Sequence, residues 1–194
     1  MKDQIWIKKV ILIAVCISLS ACLQVFAEHF IYWKPSLLNE FWRLWTAHWV
    51  HVGWMHFLLN MLAFICLPFI FPQVRNWQVI ALLVILPPFI SLTFYFYLPY
   101  IDAYAGLSGV LHGLYSAVGL AYLQYQNERK FTLFVLTVMV LKLGWEHTFG
   151  QMGTAKLIGS PVLTEAHLIG AIGGVLCGLG YLFMMKLKKR EHLN

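Results

Sequence analysis

"EAHLIGAIGGVLCG", Glu165 to Gly178, carries one histidine and then glycines at 170, 174 and 178 inside a long apolar run. Glycines four apart on a helix form one bare stripe, along which a second helix backbone can approach closely. His167 lies at the head of that stripe. An ionisable group inside an apolar helix is costly and is a functional candidate by default. The stripe needs a partner with a matching small surface. "AGLSGVLHG", Ala105 to Gly113, offers one in Gly109 and Gly113, beside Ser108 and with His112 a further turn on.

The rest of the chain has the composition of an all-α integral membrane protein. Of 194 residues, 60% are hydrophobic and 11% charged, and the mean hydropathy is +0.72. A soluble domain of this length needs a more polar surface. Aromatic residues at 16%, with eight tryptophans, fit interfacial belts. The net charge of +6 does not point to nucleic acid, because the basic residues flank apolar runs instead of forming one stripe. Cys16, Cys22, Cys66 and Cys177 lie in apolar segments without CxxC spacing and read as small buried residues.

Six stretches approach the roughly 20 apolar residues that a span needs: 7–27, 53–71, 77–98, 106–125, 131–147 and 166–186. The first reads as a retained anchor, since no small-residue cleavage site follows it. Pro87 and Pro88 should kink the third. Without internal repeat or linker, residues 1–194 read as one domain. Ten lysines and arginines fall on one side of the spans. Three, Lys34, Arg43 and Lys156, fall on the other, with Lys142 inside the fifth span. That bias puts both termini in the cytoplasm. The 28–52, 99–105 and 148–165 connections then face outward.

The same topology gathers polar residues at one depth. His51, His56 and Asn60 enter from outside on the second span, Gly106, Ser108, Gly109 and His112 on the fourth, and His167 on the sixth. His56 and Asn60 are four apart and share a face. Close packing of the fourth and sixth spans along Gly109, Gly113, Gly170 and Gly174 brings His167 within reach of Ser108, as a serine nucleophile requires of its base. Taken singly, the serine reads as a helix cap, the glycines as packing and the histidine as a hydrogen-bonding residue. Their convergence at one depth is harder to explain without chemistry.

At these residues the sequence resembles the rhomboid family of intramembrane serine proteases. "GLSG" (106–109) resembles the GxSG nucleophile motif. Ala166–His167 with the glycine stripe resembles the sixth-helix base motif, and "HVGWMHFLLN" (51–60) the second-helix pattern of two histidines and an asparagine. Trp42 and Arg43 stand where the family has its Trp-Arg loop. The resemblance covers residues 42–180. It implies a six-helix rhomboid-like bundle with Ser108 as nucleophile and His167 as base. It also implies an oxyanion hole of His56, Asn60 and the Ser108 N–H, with His51 in support. His112 departs from the tyrosine that many rhomboids carry there. "GLSGVLHG" and "LKLGWEHTFG" (141–150) are closer to the rhombosortase branch, associated with C-terminal Gly-Gly sorting tails on secreted proteins.

The expected mechanism is a Ser–His dyad acting on membrane-anchored proteins near the outer face of a bacterial inner membrane, without metal or cofactor. No acidic third member is evident. Glu165, two residues before His167, should point elsewhere, Asp102 lies in a loop, and Lys142 with Glu146 reads as a structural i, i+4 pair. His112 either replaces the tyrosine as a platform for the His167 ring or tunes that ring as a second titratable imidazole. Within the class, the alternative is a general rhomboid acting on single-span substrates. In another class, His48, His51, His56, His112 and His167 allow a metal- or haem-binding membrane protein, although no HExxH is present. An inactive rhomboid-like chaperone would lack the serine or the histidine, and both are present. The sequence leaves the oligomeric state open.

Overall fold

A computed structural model of the chain describes residues 2–150 and 153–191. Six longer helices form the body: α1 (Lys2–Gln24), α3 (Trp54–Ile70), α4 (Asn76–Tyr97), α5 (Ser108–Tyr122), α6 (Arg129–Phe149) and α8 (Thr164–Glu191). Two short helices, α2 (Arg43–Thr46) and α7 (Thr154–Ile158), lie in the connections. A minimal antiparallel pair, β1 (Tyr32–Trp33) and β2 (Ala103–Tyr104), ties two of those connections together. The expected loop at 148–165 thus contains a helix, and its residues 151 and 152 lie outside the described part.

Among the described residues three helices are long and apolar enough to cross a membrane, α1 from Asp3, α4 and α8, and α3 is a shorter apolar helix. The outward-facing surface agrees. Val10, Ile11 and Val15 on α1, Phe134, Val138 and Leu141 on α6, and Ile172, Leu176 and Phe183 on α8 are all exposed. Apolar area this extensive would not be tolerated in water.

Helix α5 is the centre of the bundle. Its ten buried residues include Gly109, Gly113, Ser116, Ala117 and Gly119, so neighbours approach from several sides. The tightest is α8. A Cβ built on Gly109 would lie 2.8 Å from the Ala166 carbonyl oxygen, and one on Gly113 would lie 2.7 Å from that of Gly170. Side chains at Gly170 and Gly174 would in turn collide with the Gly109 and Gly113 carbonyls. The two glycine stripes read from the sequence face one another.

Pro87 and Pro88 lie inside α4, which continues through both. Proline has no N–H, so Pro88 leaves the carbonyl four residues back without its helical donor. The Trp45 indole N–H fills that place, donating to Val84 O at 2.9 Å. This interaction holds α2 against α4. Helix α1 is fixed near both ends. Lys9 Nζ donates to Pro72 O at 2.6 Å, Ser20 Oγ donates to Trp49 O, and Gln24 exchanges two hydrogen bonds with the His51 backbone.

Candidate active site

Ser108 is the first residue of α5, and the turn before it decides where its hydroxyl points. Gly106 has φ +144°, and a Cβ there would lie 2.8 Å from His56 Cε1. Backbone freedom and space both require glycine. Three hydrogen bonds fix the turn. Gly106 N–H donates to Ala47 O at 3.0 Å, Tyr104 O–H donates to Gly106 O at 2.5 Å, and Leu107 N–H donates to His51 Nε2 at 3.4 Å. The fourth span, expected from residue 106, therefore starts as helix at Ser108.

His51, on the loop before α3, is buried, and burial followed by the neighbouring His56 pushes its pKa down to about 3. The ring is neutral, with an Nε2 lone pair to accept from Leu107. The His51 and His56 rings meet edge to face, with centroids 5.1 Å apart. His56 and Asn60 are both buried on one face of α3, as their spacing predicted. Asn60 Nδ2 donates to the His56 carbonyl at 2.9 Å, and His56 Nδ1 is buried without a partner among the described residues. Trp42 and Arg43 lie in the 27–47 connection. Arg43 is buried, donating to Glu40 Oε2 at 2.5 Å and to the carbonyls of Ile31 and Glu28 at 2.8 and 3.1 Å. Trp42 Nε1 donates to His29 O at 3.4 Å. Both residues stitch that connection together.

His167 sits in the first turns of α8, 4% exposed. Its Nε2 is 2.9 Å from Ser108 Oγ. The His112 ring stacks on it, with centroids 4.3 Å apart and planes 18° from parallel, as expected of its platform. One expectation is overturned. A carboxylate does reach the imidazole: Glu146 Oε2 lies 2.8 Å from His167 Nδ1. Glu165 is turned away, taking a long contact of 3.5 Å from the Tyr100 hydroxyl. The expected Lys142–Glu146 pair is present, with Nζ 2.6 Å from Oε1, and the second carboxylate oxygen is the one facing His167.

The remaining contacts close a circuit. Lys142 Nζ is 3.2 Å from His112 Nε2, and His112 Nδ1 is 2.7 Å from the Ser108 carbonyl. Every group has a consistent role. A carbonyl and a carboxylate only accept, and an ammonium only donates. Both histidines therefore carry hydrogen on Nδ1 and a lone pair on Nε2. In that tautomer His167 presents its lone pair to the Ser108 hydroxyl, the arrangement a general base needs.

Ligand atoms of His112, Glu146 and His167 lie within 4.8 Å of one another, and each takes part in the hydrogen bonds just described. His48 lies apart, its Nε2 3.0 Å from Ser91 Oγ. A large cavity of about 750 Å³ lies elsewhere, between the other ends of α4, α5 and α8, lined by Arg75, Ile85, Tyr125, Phe183 and Lys188. Its apolar walls and basic rim contain none of the site residues.

The model of the rhomboid domain matches residues 38–184. The chain belongs to the rhomboid family. Rhomboids are intramembrane serine proteases, multi-pass proteins that meet their substrates in the lipid bilayer. A search of curated proteins gives no match. The matched span runs from the connection holding Trp42 and Arg43 through the glycine stripe of α8, and so includes every residue of the circuit around Ser108.

Proposed function

We propose that this rhomboid is an active endopeptidase with Ser108 as nucleophile and His167 as general base. The observation that carries the reading is the 2.9 Å approach of His167 Nε2 to Ser108 Oγ. It is made beside the α5–α8 contact, where backbone rather than flexible side chain sets the spacing.

In the proposed reaction His167 takes the hydroxyl proton as Ser108 Oγ attacks the scissile carbonyl carbon. Negative charge moves to the carbonyl oxygen. Ser108 is the first residue of its helix, so its N–H has no carbonyl one turn back and is free to donate. With His56 and Asn60 it forms the proposed oxyanion hole. Collapse breaks the peptide bond, and the departing amine leaves with the proton from His167. Water, deprotonated by the same imidazole, then attacks the acyl-enzyme and frees Ser108.

The charge bias of the connections supports six spans with both termini cytoplasmic and Ser108 toward the outer face of a bacterial inner membrane. The rhombosortase-like "GLSGVLHG" and "LKLGWEHTFG" support clients with a small-residue, Gly-Gly-type site before a C-terminal apolar anchor.

Fluorophosphonate labelling of purified protein tests the serine. Wild type should label, and Ser108→Ala and His167→Ala should not. Labelling retained in Ser108→Ala would refute the assignment. For the client class, a fusion carrying a Gly-Gly site before an apolar anchor should be cut, and one with the pair changed to leucines should not. Equal cutting of both would leave a general rhomboid acting on single-span proteins.

A further inference from the structure

Glu146 is 5% exposed and is one of two buried residues on α6, the other being Thr132. A buried carboxylate needs compensation for both oxygens. Here one oxygen meets the Lys142 ammonium and the other meets His167 Nδ1. Neutralising Lys142 alone would need no contact with α8 and no burial. The second contact is the one that bears on chemistry.

A neutral imidazole has two tautomers, and only the one with its lone pair on Nε2 can take a proton from Ser108. An acceptor-only group at Nδ1 selects that tautomer, and its negative charge then faces the imidazolium that forms. The other groups around His167 do not supply this. His112 stacks on the face of the ring. Its Nδ1 is directed to the Ser108 carbonyl and its Nε2 to Lys142. His56 lies across Gly106.

Resting on the assignment of Ser108 and His167 above, we infer that Glu146 is a positioning residue that completes a Ser108–His167–Glu146 triad, with Lys142 holding its carboxylate in place. The acid of this triad comes from α6, whereas nucleophile and base come from the α5–α8 pair.

The test uses full-length protein in detergent. It measures the rate of fluorophosphonate labelling, with kcat and KM on a cleavable single-span substrate. Glu146→Gln keeps the size of the side chain and removes its charge. It should slow labelling and kcat by on the order of 10²–10⁴, with KM and the thermal midpoint unchanged, and Glu146→Asp should recover part of the rate. Labelling of Glu146→Gln at the wild-type rate would overturn the inference. So would a loss confined to KM or to thermal stability, the mark of a residue that only pins α6. If Glu146→Gln does not fold, the double variant Lys142→Met/Glu146→Gln, which leaves no buried charge unpaired, carries the same prediction, and wild-type labelling in it is equally fatal. An unlabelled wild type overturns the serine assignment as well. A labelled wild type beside an equally reactive Glu146→Gln overturns the triad alone.

Discussion

Gly106 shows how one residue sets the aim of another. Its positive φ and the His56 ring packed on its Cα together turn the chain so that α5 begins at Ser108. A side chain there must strain the backbone, by about 1–3 kcal/mol, and displace His56. Gly106→Ala should lower the labelling rate of Ser108 about tenfold or more, with little change in helix content by circular dichroism. The meeting of Ser108, His167 and Gly106 was legible as a candidate in the sequence because their motifs, each ordinary when read singly, fall in one order and spacing. Glu146 was not legible. A lysine four residues earlier already accounts for it, and its second partner lies on another helix whose rotation no local pattern gives.

At the scale of elements, the α5–α8 contact was the most legible part of the fold, because small residues four apart on two apolar helices have one common use. It makes a graded prediction. Gly174→Val must push apart backbones already touching at the Gly113 carbonyl. It should lower the thermal midpoint, the cost being at least the ~1–3 kcal/mol of an overpacked core. Gly144→Ala and Gly180→Ala meet nothing within 4 Å and should not lower the midpoint, alanine being the better helix former. Helix α4 was only half legible. The proline pair announces a broken hydrogen-bond ladder, but not which group repairs it. Trp45 does so from a four-residue helix more than thirty positions away. Trp45→Phe leaves the Val84 carbonyl without that donor, at a cost of about 1–3 kcal/mol, which differential scanning of the detergent-solubilised protein would register.

At the scale of the molecule, hydropathy located the six main helices, with the largest misses at the start of α1 and the end of α8, although among the described residues just three of them are long and apolar enough to cross a membrane. Helix α1 starts earlier than expected because its polar first turn, which carries Asp3, is helical too. The 28–52 connection was read as an outward loop bearing Trp42 and Arg43, and Arg43 and Tyr32 give it a buried interior of its own. The ten-to-three distribution of lysine and arginine predicts that reporters fused after Glu191 report cytoplasm and that reporters inserted near Leu38 do not. The opposite result would invert the placement of Ser108.

The three groups around His167 do not ride on one rigid body. Ser108 and His167 belong to helices in backbone contact, whereas Glu146 belongs to α6, most of whose side chains face outward. A thermal or lipid-driven sway of α6 by little more than a hydrogen-bond length would leave the serine and its base face to face and withdraw the carboxylate. In the proposed triad the acid thus rides on a different helix from the serine and its base, so the seating of α6 would set the rate without touching the serine.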